Sequence, residues 1–127
     1  MHAEAAQAAA VVARQLPANA ELVAALGQRL RAQPPRFVVT CARGSSDHAA
    51  TFAKYVIETR LGYVTASASP SAISIYHATQ RLDGALYILI SQSGESPDLV
   101  SCCEAARTAG ALVIAMTNSR TSALAAA

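Results

Sequence analysis

The sequence predicts an α/β fold built on a doubly wound parallel sheet with helices on both faces. Short apolar segments alternate with longer segments of helical periodicity along most of the chain. The apolar segments are continuous rather than alternating, which is typical of parallel strands that are buried on both faces. With 127 residues, the chain is long enough for one hydrophobic core but not comfortably long enough for two.

Residues 1–34 are predicted to form N-terminal helices that precede the sheet domain. Apolar spacing favours two of them, over residues 3–16 and 20–32. Asn19 is the expected N-cap of the second helix, and Pro34 helps to end the region. The sheet domain is therefore expected over residues 35–127.

Beyond this point the pattern becomes strand, loop and helix, repeated. Strands are predicted over residues 37–41, 63–66, 86–90 and 111–116. Helices are predicted over residues 48–61, 70–76 and 97–108, with one more beginning after residue 122. Gly62 and Gly110 suit the ends of two of these helices. The run Leu86–Ile90 is wholly apolar, so its strand is predicted to lie at the centre of the sheet.

Composition argues against several classes of protein. Apolar residues make up 53% of the chain and charged residues 14%, as in a globular protein with a packed core. The net charge of +2 comes from basic residues scattered along the chain, so no nucleic acid partner is expected. The apolar runs are too short to cross a bilayer and the first residues lack a leader pattern, so we expect no membrane partner and a cytoplasmic location.

The three cysteines, Cys41, Cys102 and Cys103, are expected to be small core residues. Their odd number and the adjacency of two of them give neither a disulfide framework nor the spacing of a metal site. The chain also lacks G-x-G-x-x-G and G-x-x-x-x-G-K-[ST], the phosphate-binding patterns of dinucleotide and nucleoside triphosphate sites. No metal and no cofactor are therefore expected.

Two loops are candidate ligand sites, because ligands of open parallel sheets bind beyond the carboxyl ends of the strands. Residues 91–96, Ser-Gln-Ser-Gly-Glu-Ser, precede a helix whose first turn has free backbone N–H groups. The three hydroxyls can donate to an anion, and Gly94 is expected to let the backbone approach the ligand. Alternatively, Ser96 only caps the helix and the other serines are solvated. Glu95 would repel a phosphate, so its side chain is expected to point away or to contact a sugar hydroxyl.

The loop at residues 42–47 repeats this construction after the first strand. Ser45 and Ser46 place two hydroxyls at a helix start, which suits a second anion or sugar contact. The alternative is a simple N-cap by Ser46 or Asp47. A hydrolase triad of Ser46, Asp47 and His48 is rejected, because consecutive side chains cannot adopt the nucleophile, base and orienter geometry.

The segments ARGSSDHAA and SQSGES, each after a predicted strand, resemble the sugar isomerase (SIS) domain over about residues 35–125. The similarity is to the first SIS domain of the isomerase half of glucosamine-6-phosphate synthase and of glucosamine-6-phosphate deaminases. The longer segment ARGSSDHAATFAKYVIET resembles the deaminase branch more. The resemblance implies a flavodoxin-like SIS fold with a phosphosugar bound by Ser45, Ser46, Ser91, Gln92, Ser93 and Ser96. Its supporting loop residues are Gly44 and Gly94.

The resemblance implies the sugar-phosphate-binding domain of an aminosugar-phosphate isomerase or deaminase that acts on glucosamine-6-phosphate or fructose-6-phosphate. Those enzymes take their ring-opening and proton-transfer groups from a second SIS domain and the tail after it, so no catalytic residue is assigned. We expect residues 35–127 to be a SIS domain that is incomplete at its C-terminus, without the second domain. We expect the chain by itself to bind a phosphorylated sugar or aminosugar without turnover. SIS domains pair, so a homodimer is expected.

Two alternatives from other functional classes stay open. SIS domains also serve as non-catalytic phosphosugar sensors in regulatory proteins, although the first 35 residues are too short for a basic helix-turn-helix domain. A flavodoxin-like response or flavin-binding domain would share the fold. Against it, the chain has no acidic phospho-acceptor after the first strand, and aromatic residues make up only 5% of it.

Overall fold

The structure is a computed structural model that describes residues 2–127 of the chain. Contacts divide the chain into two compact units, residues 1–34 and 35–127. Met1, which belongs to the predicted N-terminal region, lies outside the described residues. Among the described residues, no helix is both long and apolar enough to cross a membrane.

The first unit contains one helix, α1, which extends over His2–Ala32. The sequence predicts two helices here with a break before Asn19, and that prediction is wrong because α1 continues through Pro17. A proline inside a helix removes one backbone hydrogen bond and crowds the preceding turn. The alanine-rich sequence on both sides has a high helix propensity, which offsets this local cost.

A four-stranded parallel sheet forms the centre of the second unit and confirms the predicted fold class. Its strands are β1 (Phe37–Ala42), β2 (Thr65–Ser67), β3 (Ala85–Ser91) and β4 (Leu112–Thr117). The strand order is β2-β1-β3-β4, so the winding direction reverses between β1 and β3. β3 pairs with β1 on one side and β4 on the other, which confirms its predicted central position.

Helices lie on both faces of this sheet. They are α2 (Ser46–Leu61), α3 (Pro70–Ser74), α4 (Pro97–Thr108) and α5 (Ala123–Ala126). The main core lies on the α4 face, where Cys41 of β1 and Tyr87 of β3 pack with Leu99 and other residues of α3, α4 and α5. Alternate strand residues point to opposite faces, so Val38 and Ala42 are buried on the other face, where α2 contacts the sheet.

Candidate functional site

The loops after β1 and β3 leave the sheet side by side. Ala42, the last residue of β1, and Ile90, the next-to-last residue of β3, are register partners in adjacent parallel strands. Adjacent strands lie about 4.8 Å apart, so the two loops begin within one strand spacing of each other. They also flank the point where the strand order reverses, which is where open α/β sheets bind their ligands. The structure therefore brings both candidate loops to one place.

Two serines of the loop at residues 91–96, called the serine loop below, hold its shape through their own hydroxyls. The backbone N–H of Gly94 donates to Ser91 Oγ at 3.1 Å, and that of Glu95 donates to Ser93 Oγ at 3.2 Å. Ser91 is buried, whereas Ser93 and Gln92 are exposed. A hydroxyl that accepts one hydrogen bond still has its own proton to donate, so Ser93 can serve an external anion in this conformation.

The hydroxyls at the two helix starts do not cap their helices. Ser96 occupies the N-cap position of α4 and Ser45 that of α2, and neither side chain makes a capping hydrogen bond. The hypothesis that Ser96 only caps α4 is therefore wrong, and so is the hypothesis of an N-cap by Ser46 or Asp47. These two residues already lie inside α2 as its first helical residues. Both helix starts consequently offer hydroxyls that are not engaged in capping.

The two supporting glycines have different surroundings. Gly44 has a φ of 57°, and a β-carbon at this position would meet no heavy atom within 4 Å. Gly94 has a φ of 73° and is buried, and a β-carbon there would lie 2.6 Å from Ser122 Cβ and 2.7 Å from Thr117 Oγ1. The packing gives a second reason for glycine at position 94, because a side chain there would meet Thr117 at the end of β4 and Ser122 after it.

The segment after β4 is the part of the site that the sequence argument missed. The backbone N–H of Asn118 donates to Gln92 O at 3.2 Å, and that of Leu124 donates to Gly94 O at 2.9 Å. Glu95 Oε1 accepts from the backbone N–H of Ala123 at 3.4 Å, so its carboxylate points toward the start of α5. The hydroxyl-rich sequence TNSRTS directly after the last apolar strand could have indicated a third loop of the same kind.

An ion pair joins the loop after β1 to the start of α4. Arg43 Nη1 contacts Asp98 Oδ2, and the two side chains are 63% and 14% exposed. Asp98 lies in the first turn of α4, two residues after Ser96. The pair places one guanidinium at the border between the two candidate loops, where it can also meet an anionic ligand.

A cleft of about 500 Å³ lies next to these loops, between the end of β1 and the start of α3. Its walls include Gly44, Asp47 and Asp98, together with serines from the β2–α3 connection. Of the predicted site residues, only Gly44 lines it. The six predicted phosphosugar-binding residues, all in the described part of the chain, lie outside its lining.

The three cysteines are free and buried, and their thiols have shifted pKa values. A hydrogen bond to Cys102, together with burial, raises the pKa of the Cys41 thiol, and burial raises the pKa of Cys103. The Cys41 thiol in turn holds the pKa of Cys102 below its usual value. The Tyr87 hydroxyl adjoins Cys41 and Cys102, and its pKa is raised chiefly by burial. No group of three or more metal-ligating side chains occurs among residues 2–127.

Comparison with known proteins finds one family and several solved structures. The family description "SIS domain" matches residues 33–127. A structure from Silicibacter pomeroyi DSS-3, described as a phosphosugar isomerase, is 45% identical with a TM-score of 0.91 over 94% of this chain. One from Bacillus subtilis with the same description is 31% identical, with a TM-score of 0.70 over 80% of this chain. A third is the C-terminal domain of glucosamine-fructose-6-phosphate aminotransferase from Francisella tularensis, which is 26% identical, with a TM-score of 0.64 over 72% of this chain.

The chain spans only part of those proteins. It covers 37% of the Silicibacter chain, 31% of the Bacillus chain and 26% of the Francisella chain. A comparison with curated protein sequences finds no significant match.

Proposed function

The chain belongs to the SIS domain family, and from that premise we propose that it binds a phosphorylated sugar beyond the carboxyl ends of β1 and β3. The phosphate lies against the serine loop, where Ser91, Gln92, Ser93 and Ser96 surround it. Ser45 and Ser46 contact the phosphate or the sugar from the neighbouring loop. The observation that supports this assignment is that both helix starts hold hydroxyls that cap nothing, at the switch in strand order.

The chemistry of these groups suits a phosphate ester better than other anions. Serine hydroxyls rotate to meet several phosphate oxygens, and the first turn of α4 favours negative charge through its free N–H groups and its dipole. Arg43 lies beside this helix start and adds one positive charge. The carboxylate of Glu95 is directed toward α5, which removes a source of repulsion.

For the whole protein we propose an aldose–ketose isomerase or a deaminase that acts on glucosamine-6-phosphate or fructose-6-phosphate. Two relatives described as phosphosugar isomerases support the isomerase activity, and the aminotransferase relative supports an aminosugar phosphate as the ligand. No base for proton transfer is assigned within this chain, so the chain by itself binds the sugar without turnover. We also propose that it pairs with a second copy, as SIS domains do.

The test is calorimetric titration with fructose-6-phosphate, glucosamine-6-phosphate and inorganic phosphate, alongside an assay of turnover. Ser93→Ala is expected to lower the affinity for both sugar phosphates about tenfold, which corresponds to the loss of a hydrogen bond of about 1.4 kcal/mol to a charged group. Ser101→Ala is the matched control, because Ser101 Oγ donates to Pro97 O on the same helix and lies outside the serine loop.

Equal binding by Ser93→Ala and the unmodified protein would overturn the assignment of the serine loop. Binding without turnover by this chain fits the proposal. If the protein folds, as shown by circular dichroism, and binds none of the phosphosugars, the proposed function is wrong.

A further inference from the structure

The cleft between β1 and α3 lies outside the six residues proposed to bind the phosphosugar, and its lining is rich in groups that bind sugars. Ser67 at the end of β2, and Ser69 and Ser71 at the start of α3, contribute to the lining, and so does Asp47 at the start of α2. Because these groups are hydroxyls and a carboxylate, they suit a ligand that presents hydroxyl and amine protons. We call this space, defined by Asp47, Ser67, Ser69 and Ser71, the amine cleft.

We propose that the amine cleft binds the amino-bearing end of an aminosugar phosphate, with the Asp47 carboxylate accepting hydrogen bonds from the ammonium group. The serines contact the neighbouring sugar hydroxyls. This inference rests on the proposed function, because it assumes that the phosphate of the same molecule lies against the serine loop. It adds the residue that selects an aminosugar over a neutral sugar.

The charges around the cleft support a cation there rather than a second anion. Two carboxylates line it, and one of them, Asp98, is paired with Arg43. Among residues 5–127, whose side chains the structure describes, no arginine, lysine or histidine forms a salt bridge with Asp47. The uncompensated charge of the cleft is therefore negative, and it attracts an ammonium group and repels a phosphate.

The difference in charge between the serine loop and the amine cleft determines the orientation of the bound ligand. The serine loop follows β3 and the serines of the cleft follow β2, with β1 between these two strands. Two strand spacings, about 10 Å in all, separate the serine loop from the cleft serines, whereas Asp47 follows β1 and lies after the strand next to β3, one spacing of about 4.8 Å away. An extended six-carbon sugar phosphate has its phosphate at one end and its amine near the other, so one molecule can reach both.

The backbone at Asp47 is fixed independently of any ligand, although its side chain is exposed. Its backbone N–H donates to Gly44 O at 3.1 Å, which closes the turn that starts α2. The substitution Asp47→Asn keeps this backbone bond and the size of the side chain, and it replaces the charged carboxylate with a neutral amide that has one acceptor oxygen. It is therefore a clean test of whether the carboxylate recognises an amine.

The experiment compares glucosamine-6-phosphate with glucose-6-phosphate, which differ only in an amine or a hydroxyl at one carbon. Calorimetry is carried out on the unmodified protein, Asp47→Asn and the control Ser101→Ala, with circular dichroism to verify folding. We expect the unmodified protein to bind glucosamine-6-phosphate about tenfold more tightly, because a positively charged donor makes a stronger hydrogen bond to a carboxylate than a neutral hydroxyl does. Asp47→Asn should reduce this ratio to about one and leave glucose-6-phosphate binding unchanged.

Two results would overturn the inference and leave the proposed function intact. One is an unchanged ratio in Asp47→Asn, and the other is equal affinity of the unmodified protein for the two sugar phosphates while Ser93→Ala still lowers both affinities. If a folded protein binds neither sugar phosphate, the proposed function and this inference both fail. The first result includes the case in which Asp47→Asn weakens the binding of both sugar phosphates equally, which would show a general positioning role in place of amine recognition.

Discussion

Gly94 packs directly against Ser122. A β-carbon on residue 94 would lie 2.6 Å from Ser122 Cβ, and the backbone N–H of Leu124 donates to Gly94 O at 2.9 Å. The shape of the serine loop therefore depends on a segment that follows a different strand, β4. This relationship explains why the loop needs glycine at that position, whatever ligand it binds.

Replacement of Gly94 by alanine should be clearly more destabilising than replacement of Gly44. Both glycines have a positive φ, so each alanine variant has backbone strain of about 1 kcal/mol. Gly94→Ala must also displace Ser122 and Thr117, which costs a further 1–3 kcal/mol, about as much as other overpacking. Urea denaturation of the two variants measures the difference. Equal free energies of unfolding of Gly94→Ala and Gly44→Ala would show that the segment after β4 can move to accommodate the added methyl group at little cost.

Alanine substitution should lower the stability of the protein at Ser122 but mainly its affinity for sugar phosphate at Ser96. Ser122 Oγ accepts from the N–H of Ala125 and donates to Ser119 O, and the residue is fully buried, so Ser122→Ala should cost about 1–2 kcal/mol of stability. Ser96 caps nothing, so Ser96→Ala should change stability by less than about 0.5 kcal/mol and weaken sugar-phosphate binding. Thermal unfolding and calorimetric titration of both variants provide the check. A strong loss of stability in Ser96→Ala would contradict the absence of a cap.

The ion pair between Arg43 and Asp98 should tune anion affinity rather than stability. Arg43 is mostly exposed, so solvent screens its attraction to Asp98. Removal of this ion pair should therefore leave the midpoint of thermal unfolding almost unchanged. Asp98→Asn removes a negative charge from the first turn of α4 and frees Arg43, so affinity for inorganic phosphate should rise severalfold. Arg43→Gln should lower the affinity for inorganic phosphate. Titrations at low and physiological salt measure both effects, and a weaker affinity in Asp98→Asn would contradict the placement of the phosphate.

Tyr87 should make the protein lose stability at alkaline pH. Burial raises its pKa above the usual value of about 10, so the folded protein keeps the proton that the unfolded chain releases. Below pH 10 both the folded and the unfolded protein keep the Tyr87 proton, and the stability is unaffected. Above pH 10 the free energy of unfolding should fall by about 1.4 kcal/mol per pH unit. Tyr87→Phe removes this loss, and because the hydroxyl has no hydrogen-bond partner, it should not destabilise the protein at pH 8.

The measurement for Tyr87 is urea unfolding at pH 8, 10 and 11 of the unmodified protein and two variants. Tyr76→Phe is the control, since Tyr76 is 79% exposed and its removal should leave the pH dependence unchanged. The raised pKa of Cys41 contributes a similar fall above pH 8.5 in all three proteins. A pH dependence of Tyr87→Phe that parallels the unmodified protein would contradict the prediction.

Much of the fold followed from local patterns. The continuous apolar run at Leu86–Ile90 predicted a central strand, and β3 indeed pairs on both sides. Alternation of strands and helices predicted the parallel sheet, because a parallel connection needs a crossover that local periodicity reveals. The predicted break before Asn19 was wrong. It depended on two local signals, a proline and a good N-cap residue, and the high helix propensity of the neighbouring residues outweighed them.

By itself, the sequence determined the fold class, the serine loop after β3 and the matching hydroxyls after β1. Only the tertiary structure decided that the hydroxyls of Ser45 and Ser96 cap no helix, that Gly94 packs on Ser122, and that Arg43 pairs with Asp98. Periodicity and capping preferences arise between neighbours in the chain, whereas these contacts join segments that the sheet brings together from different strands. A single sequence holds no signal for such pairings, because their geometry exists only after the strands have taken their order.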